Sequence, residues 1–266
     1  MLDVLCRLVA AALLIAVVAT PAFADDRVTF PSLAANNGQG AAIVGYLARP
    51  KGQGPFPAVV VLHSCLGMRA DRRGLADMLT GWGYVALFVD DFSSRRLQQT
   101  CAVDFPEGLG DAYGGLGYVD SLPYVDRHRI GVLGYSQGAD TALQIATAGA
   151  AVPFALPAGA GFSAVAAFYP PCENQNQHRD RLALPTLIVV GADDTVTPAA
   201  ACRKLVSDQR GADATLAVLP GAGHVFDDPA FADGRQFMGM WLEFNPAAAA
   251  KARPLLRRFL DARLSP

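Results

Sequence analysis

The segment Gly134–Gly138, which reads Gly-Tyr-Ser-Gln-Gly, combines residue types and a spacing that are typical of a catalytic serine. The aliphatic run Ile130–Leu133 precedes it, and a stretch of helical composition follows from Ala139. A G-x-S-x-G turn between a strand and a helix holds the serine in a strained backbone conformation with its hydroxyl exposed. Glycines at both ends of such a turn remove side chains that would collide. We therefore interpret Ser136 as a nucleophile; the alternative is a chance Gly-Ser-Gly turn.

A serine hydroxyl is a weak nucleophile until a base takes its proton, and that base is commonly a histidine oriented by a carboxylate. After a turn of this kind, the acid and then the histidine follow the serine along the chain. Of the 4 histidines, only His178 and His224 follow Ser136. His178 precedes the next predicted strand, which leaves no acid at a strand end between it and the serine. We predict His224, in a loop after the last predicted strand, as the base; a structural histidine facing solvent is the alternative.

The acid should stand at the end of the penultimate predicted strand, where Asp193 and Asp194 are adjacent. Their spacing from Gly191 and Pro198 favours Asp194 by analogy with related enzymes. Either carboxylate could accept the ring N–H of His224, while the other could cap the following helix or bind loop amides. We predict Asp194 as the acid and keep Asp193 as the alternative.

Acyl transfer also needs hydrogen-bond donors for the oxyanion that develops in the reaction. The backbone N–H of Gln137, next to the nucleophile, is one predicted donor. The other is the backbone N–H of Cys65, in the turn His63–Gly67 that follows the predicted strand Ala58–His63. A turn with a purely structural role is the alternative.

Short apolar runs alternate with longer amphipathic stretches from Ala42 onward, and this rhythm is typical of alternating strands and helices. Val59–Leu62 and Leu187–Val190 are aliphatic throughout, as are strands buried on both faces of a parallel sheet. The predicted strands are Ala42–Ala48, Ala58–His63, Val85–Asp90, Ile130–Leu133, Ala164–Tyr169, Leu187–Val190 and Thr215–Leu219. The predicted helices are Arg72–Gly81, Gly110–Ser121, Gln137–Ala146, Ala199–Gln209, Arg235–Phe244 and Lys251–Leu264. We predict one α/β domain with a mostly parallel central sheet and helices on both faces.

Residues 1–24 have the features of a secretory signal peptide. Arg7 precedes the apolar run Leu8–Ala19, whose 12 residues are too few to span a bilayer as a helix. Ala22-Phe23-Ala24 then offers the pattern of small residues that signal peptidase accepts. We predict cleavage after Ala24, a mature domain over residues 25–266, and a periplasmic or secreted location without a stable membrane anchor. A buried N-terminal helix or a membrane anchor is the alternative.

Composition narrows the class of protein. The 266 residues are 52% hydrophobic and 17% charged, which suits a globular domain rather than a disordered chain. The 22 Lys and Arg residues against 24 Asp and Glu residues give a net charge of −2, so no positive field attracts nucleic acid. We therefore expect a small-molecule substrate and no nucleic-acid partner.

The cysteines become informative if the chain is exported, because an oxidising compartment favours disulfides. Cys6 would leave with the signal peptide, and an even number of cysteines would remain for two disulfides. These remaining cysteines are Cys65, Cys101, Cys172 and Cys202. The sequence leaves all three pairings open. No C-x-x-C pair or histidine at ligand spacing accompanies them, so we expect no metal site.

The chain resembles the dienelactone hydrolase family, which has the α/β-hydrolase fold, from about Ala42 to Phe244. The matching pieces are Val61–Gly67, Asp91–Arg95, Gly134–Gly138, Tyr169–Cys172, Gly191–Pro198 followed by Cys202, and Gly221–His224. The founding enzymes of that family use cysteine as the nucleophile, whereas this chain has Ser136, so their dienelactone substrate does not carry over. The resemblance implies a hydrolase of small esters or lactones that needs no cofactor.

The resemblance has two further implications. Arg95 falls where the family places an arginine near a substrate carboxylate, although a solvated surface arginine fits equally well. The strand order of the fold would bring together the loops that carry Cys65 and Cys101, and would bring Cys172 near the helix that carries Cys202. The implied disulfides are therefore Cys65–Cys101 and Cys172–Cys202, with four free thiols as the alternative.

Other functions remain compatible with the same residues. An acyltransferase or a peptidase could use the same serine, acid and histidine on the same fold, and fold analogy does not separate them from an esterase. A non-catalytic binding module is a further alternative, against which the intact residues argue. The connection between Tyr169 and Leu187 is too short for a helical lid, so we expect an open pocket that prefers short acyl chains.

Overall fold

An eight-stranded sheet forms the centre of the computed structural model, which describes residues 26–33, 39–151, 153–179, 181–209 and 211–264. The strands of this sheet are β1 Asp26–Leu33, β2 Gln39–Ala48, β3 Phe56–Leu62, β4 Val85–Asp90, β5 Val125–Tyr135, β6 Ala164–Phe168, β7 Thr186–Gly191 and β8 Ala214–Leu219. Their order is β1-β2-β4-β3-β5-β6-β7-β8. The pairs β1–β2 and β2–β4 are antiparallel, and all pairs from β4 to β8 are parallel. The predicted signal peptide and its cleavage site lie outside the described residues.

Helices cover both faces of the sheet. They are α1 Arg72–Gly81, α2 Gly108–Asp120, α3 Gln137–Ala146, α4 Glu173–His178, α5 Ala199–Asp208 and α6 Pro246–Leu264. Successive residues of a strand point to opposite faces, and β3 divides accordingly: Val59 and Val61 pack in the core under α1 and α6, whereas Val60 packs in the core under α2 and α3. The prediction of an α/β fold with a mostly parallel sheet and helices on both faces is confirmed.

Each of the seven predicted strands overlaps a strand of the sheet, and the predicted helices Arg72–Gly81 and Gln137–Ala146 match α1 and α3 at both ends. The strand β1 was not predicted. Its segment contains Pro31, which suits an edge strand because proline cannot donate a backbone hydrogen bond. The short helix α4 was also missed, and α6 begins at Pro246 rather than at the predicted Lys251.

The predicted helix Arg235–Phe244 is wrong. The segment forms a two-stranded hairpin of β9 Arg235–Phe237 and β10 Met240–Leu242. Met238 and Gly239 connect the strands with φ values of 49° and 81°. Two consecutive positive φ values characterise the tight turn that matches the twist of a hairpin, and glycine adopts them without strain.

No helix among the described residues is long and apolar enough to cross a bilayer.

Candidate active site

The turn around Ser136 has the geometry that its glycines require. β5 ends at Tyr135 and α3 begins at Gln137, so Ser136 alone connects strand and helix, with φ 51° and ψ −111°. A Cβ atom on Gly134 would overlap the carbonyl group of Gly138, and one on Gly138 would overlap carbonyl groups at the end of β3. Glycine at both positions therefore lets the strand, the turn and the helix approach closely enough to hold the serine at the edge of the sheet.

Ser136, His224 and Asp194 form a continuous hydrogen-bonded chain. Ser136 Oγ lies 3.0 Å from His224 Nε2, and His224 Nδ1 lies 2.8 Å from Asp194 Oδ2. With its proton on Nδ1, the ring donates to Asp194 and accepts the serine hydroxyl at Nε2. The exposed fractions are 8% for Ser136, 5% for His224 and 4% for Asp194. The structure thus brings together the predicted nucleophile, base and acid.

Asp194 is held for this contact by its own loop. Its Oδ1 accepts the backbone N–H groups of Val196 and Thr197 at 2.9 Å each, and the hydroxyl of Thr197 lies 2.9 Å from Oδ2. Asp193 is exposed, and its backbone N–H donates to the carbonyl group of Ala222. The structure therefore places Asp194, and not Asp193, beside the histidine.

Sequence reasoning missed a buried polar network behind the histidine. The ring of Tyr169 packs edge-on against His224 with centroids 4.8 Å apart, and its hydroxyl donates to Asp227 Oδ1 at 2.9 Å. Burial, reinforced by the Asp227 carboxylate, raises the pKa of Tyr169 well above its usual range, so the hydroxyl keeps the proton it donates. Arg69 donates to Asp227 Oδ2 at 3.1 Å and to Asp71 at 2.9 Å. The pairing of tyrosine with a carboxylate 58 residues later has no local signal.

The hairpin is a second feature that the sequence did not reveal. Leu242 of β10 forms a parallel bridge with His224, and Phe237 and Met240 line the cavity beside the serine. The hairpin therefore supports the loop that carries the histidine and supplies part of the cavity wall.

The turn after β3 borders the same cavity as Ser136. Cys65 and Gln137 both line the cavity that contains the serine hydroxyl. The carbonyl group of Cys65 accepts the backbone N–H of Thr100 at 2.9 Å, and the Thr100 hydroxyl donates to Gln137 Oε1 at 2.8 Å. These bonds connect the turn to the helix that begins at the nucleophile.

Two disulfides hold loops near the cavity, in the pairing that the resemblance implied. Cys65 and Cys101 have Cα atoms 4.9 Å apart, and Cys172 and Cys202 have Cα atoms 5.1 Å apart. The first joins the turn after β3 to a loop that lines the cavity. The second joins the segment before α4 to α5, the helix that follows the Asp194 loop.

Arg95 is not brought to the cavity. Its guanidinium group binds both carboxylate oxygens of Asp111, at 2.7 and 2.9 Å, and the carbonyl oxygen of Asp91 at 2.7 Å. Burial raises the pKa of Asp111 despite this arginine, and it raises the pKa of Asp91 well above its usual range. The arginine is therefore committed to an internal ion pair.

The cavity at Ser136 has a volume of about 320 Å³. One part of its wall is apolar, and another part consists of polar side chains from α3, α4 and the loop after Thr100. The apolar part is formed by Leu66, Val103, Phe105, Pro171, Val196, Val225, Phe237, Met240 and Leu242. The arrangement offers an activated hydroxyl beside a space that fits a small organic molecule.

The chain matches a known protein family along most of its length. A model of the dienelactone hydrolase family matches residues 43–262. A Synechocystis protein provisionally named carboxymethylenebutenolidase is 23% identical over 244 residues, which are 84% of this chain and 92% of that protein.

Solved structures share the fold. A dienelactone hydrolase-like promiscuous phosphotriesterase from metagenomic libraries superposes with a TM-score of 0.68 at 18% identity, over 91% of this chain and 100% of that chain. A thermophilic esterase from Thermogutta terrifontis, bound to propionate, gives 0.66 at 17% identity, over 91% and 96% of the two chains. The architecture is therefore that of the α/β-hydrolases.

Proposed function

Because the chain belongs to the dienelactone hydrolase family and is thus a hydrolase of ester or lactone bonds, we propose that it cleaves small esters or lactones through a Ser136–His224–Asp194 triad and an acyl-enzyme intermediate. The observation that carries this proposal is the hydrogen-bonded chain of 3.0 Å and 2.8 Å that links the serine hydroxyl to the aspartate. The serine end of this hydrogen-bonded chain borders an open cavity large enough for a small substrate.

The first half of the reaction transfers the acyl group to the serine. Ser136 Oγ attacks the carbonyl carbon while His224 Nε2 takes its proton, and the backbone N–H groups of Cys65 and Gln137 donate to the resulting oxyanion. When the tetrahedral intermediate collapses, the bond to the leaving alcohol breaks and the imidazolium gives that oxygen its proton. Asp194 keeps the other ring proton in place and stabilises the positive charge of the imidazolium.

The second half uses water in place of the serine. His224 takes a proton from a water molecule, whose oxygen attacks the acyl carbon, and the collapse of the second tetrahedral intermediate returns the proton to Ser136. No step needs a metal or an organic cofactor. A serine depends on its base more than a cysteine does, because a thiol is partly ionised at neutral pH and a hydroxyl is not.

The cavity supports a preference for small substrates. A volume of about 320 Å³ is at the lower end of ligand pockets. The connection between β6 and β7 carries only the six-residue α4, which is too short to form a helical lid over the cavity. We therefore expect short acyl chains to be preferred over long ones.

We also propose that the protein is exported to the periplasm or secreted after cleavage behind Ala24. The two disulfides support this location, because they form and persist in oxidising compartments and are rare in the cytosol.

The test compares wild type with Ser136→Ala on p-nitrophenyl butyrate, butyrolactone and a peptide anilide. We expect wild type to cleave the ester or the lactone faster than the anilide, and Ser136→Ala to lower kcat on the order of 10⁴-fold or more. Ser207→Ala, which changes an exposed serine of α5, is the matched control and should keep full activity. Near-normal turnover by Ser136→Ala would overturn the proposal.

A further inference from the structure

The charges on the cavity wall are of one sign. Among the described residues that line the cavity, Asp104 and Asp140 are acidic and none is lysine or arginine. Arg95 is bound to Asp111 and does not line the cavity. The lining itself therefore offers a substrate carboxylates and no lysine or arginine, although the Arg95 guanidinium lies behind the wall, 5.5 Å from the ring centroid of the lining residue Phe105. Charges of this sign favour positive groups and disfavour negative ones.

Asp140 is placed to act on a bound substrate. It lies one helical turn beyond Ser136, and its backbone N–H donates to the Ser136 carbonyl group at 2.9 Å. Ser136 and Asp140 both line the same cavity, whose volume is about 320 Å³. A charged substituent a few bonds from the scissile ester can therefore reach the carboxylate.

The carboxylate of Asp140 is held by neutral groups. Gln144 Nε2 donates to its Oδ2 at 3.1 Å, and Gln175 Nε2 donates to its Oδ1 at 2.8 Å. Gln175 is 1% exposed, so this second contact is fixed by packing. Amide donors orient a carboxylate but leave its net charge in place, and each of its oxygens has a further lone pair for a cation.

Other features of the wall agree with a positively charged ligand. Asp104 is exposed in the loop after Cys101 and adds a second negative charge to the lining. Phe237 provides an aromatic ring in the same cavity, and ring faces attract ammonium groups.

We propose that the cavity selects esters that carry an ammonium group in their alcohol or acyl part, with Asp140 as the residue that binds this group. The proposal rests on the proposed ester hydrolysis at Ser136. If it holds, an ester that carries a carboxylate is a poor substrate of this protein.

The experiment uses three acetate esters of similar size: acetylcholine, its neutral isostere 3,3-dimethylbutyl acetate, and 4-acetoxybutanoate. The measured quantity is the ratio of kcat/KM for the cationic ester to that for the neutral ester. Comparing this ratio between wild type and variants cancels the intrinsic reactivities of the esters. We expect Asp140→Asn to lower the ratio about tenfold, Asp104→Asn to lower it a few fold, and 4-acetoxybutanoate to be the slowest substrate of wild type.

Asp77→Asn is the matched control, since it removes the same formal charge from the exposed side of α1 and should leave the ratio unchanged. If Asp140→Asn does not fold, competitive inhibition of wild type by tetramethylammonium and by acetate serves instead, and we expect tetramethylammonium to bind more tightly.

The outcomes separate this inference from the function on which it rests. An unchanged ratio in Asp140→Asn, or tighter inhibition by acetate, overturns the inference while turnover of the neutral ester leaves the proposed function standing. Failure of wild type to hydrolyse any of the three esters overturns the inference, and the proposed function falls with it only if p-nitrophenyl butyrate and butyrolactone are not hydrolysed either.

Discussion

Two clusters of polar side chains lie at the carboxyl ends of parallel strands, and only one of them faces the cavity. The triad of Ser136, His224 and Asp194 follows β5, β8 and β7. The β4 cluster, consisting of Asp90, Asp91, Arg95 and Asp111, lies at the end of β4, in the segment that follows it and on α2. The carboxyl ends of parallel strands meet at one edge of the sheet, which is where such folds bind ligands. Position at this edge and buried charge are therefore shared by both clusters and do not distinguish them.

The two clusters differ in whether their hydrogen-bonded groups end at a cavity or at other groups of the protein. In the β4 cluster the observed bonds end on other protein groups: Arg95 binds Asp111, and Asp90 Oδ1 accepts the backbone N–H of Ser93 at 2.9 Å. In the triad the chain of bonds runs from Asp194 to a serine oxygen that borders about 320 Å³ of open space. A charged cluster becomes a candidate site when its last member faces a space that a substrate can enter.

The largest expected effect comes from breaking the triad. Asp194→Asn should lower kcat on the order of 10³–10⁴-fold, because an amide no longer favours the ring tautomer that accepts the serine proton. His224→Ala should cost at least as much, since it removes the base itself. Steady-state kinetics with p-nitrophenyl butyrate measures both. Asp193→Asn is the control at the neighbouring residue, and its kcat should stay within twofold of wild type. A larger loss of kcat in Asp193→Asn than in Asp194→Asn would show that Asp193, and not Asp194, is the acid.

The next effect concerns the β4 cluster and stability. Arg95→Met should lower the free energy of unfolding by roughly 3–5 kcal/mol, because it leaves the fully buried Asp111 carboxylate without its partner. The folded fraction should keep its kcat, since the arginine lies outside the cavity. Denaturant unfolding and kinetics at low temperature measure the two quantities, and Arg203→Met on the exposed side of α5 controls for the substitution. A loss of kcat without loss of stability contradicts the division between the two clusters.

The two disulfides offer a matched pair of perturbations. They close segments of similar length, with sequence separations of 36 and 30, so removing either by a double Cys→Ser change should cost about 2–4 kcal/mol of stability. Their effects on turnover should differ. Loss of Cys65–Cys101 frees the turn that presents a proposed oxyanion donor and should lower kcat about tenfold, whereas loss of Cys172–Cys202 should lower it less. Equal kcat values for the two double variants, both still folded, would remove the proposed role of the Cys65 turn.

The smallest effect is a pH dependence of stability in the β4 cluster. Burial and the neighbouring Asp111 raise the pKa of Asp91 well above its usual range, and Asp91 Oδ1 has no hydrogen-bond partner among the described residues. Wild type therefore loses stability as pH rises from the unfolded-state pKa toward the folded-state pKa, because only the unfolded chain releases this proton. Asp91→Asn cannot titrate, so the difference between its free energy of unfolding and that of wild type should rise from pH 5 to pH 7. Urea unfolding at both pH values tests this, and a difference that is flat or shrinks contradicts the assignment.

Local patterns in the sequence were sufficient to locate the central strands and the nucleophile. The turn at Ser136 depends on residues within two positions of it. The segments Val59–Leu62 of β3 and Leu187–Val190 of β7 are aliphatic throughout because both faces of these strands are buried. The choice between Asp193 and Asp194 was weaker, since it depends on which carboxylate the loop turns inward.

Contacts between distant segments could not be predicted in the same way. The hairpin of β9 and β10 has apolar residues at spacings that also suit a helix. Its strands are favoured instead by the positive φ of Gly239 in the turn and by the bridge from Leu242 to His224. The family resemblance suggested that Arg95 lies near a substrate carboxylate, and its partner Asp111, 16 residues away on α2, gave no local signal against this. Asp140 passed unnoticed because an acidic residue in the first turn of a helix is common without any functional role.

The most direct test of the account is to identify the residue that a covalent probe modifies. Wild-type protein is treated with a fluorophosphonate, and intact mass spectrometry followed by peptide mapping locates the adduct. We predict a single adduct on Ser136 that appears together with loss of ester hydrolysis and forms far more slowly in His224→Ala. An adduct on another residue, or full hydrolytic activity after Ser136 has been modified, would contradict the central claim.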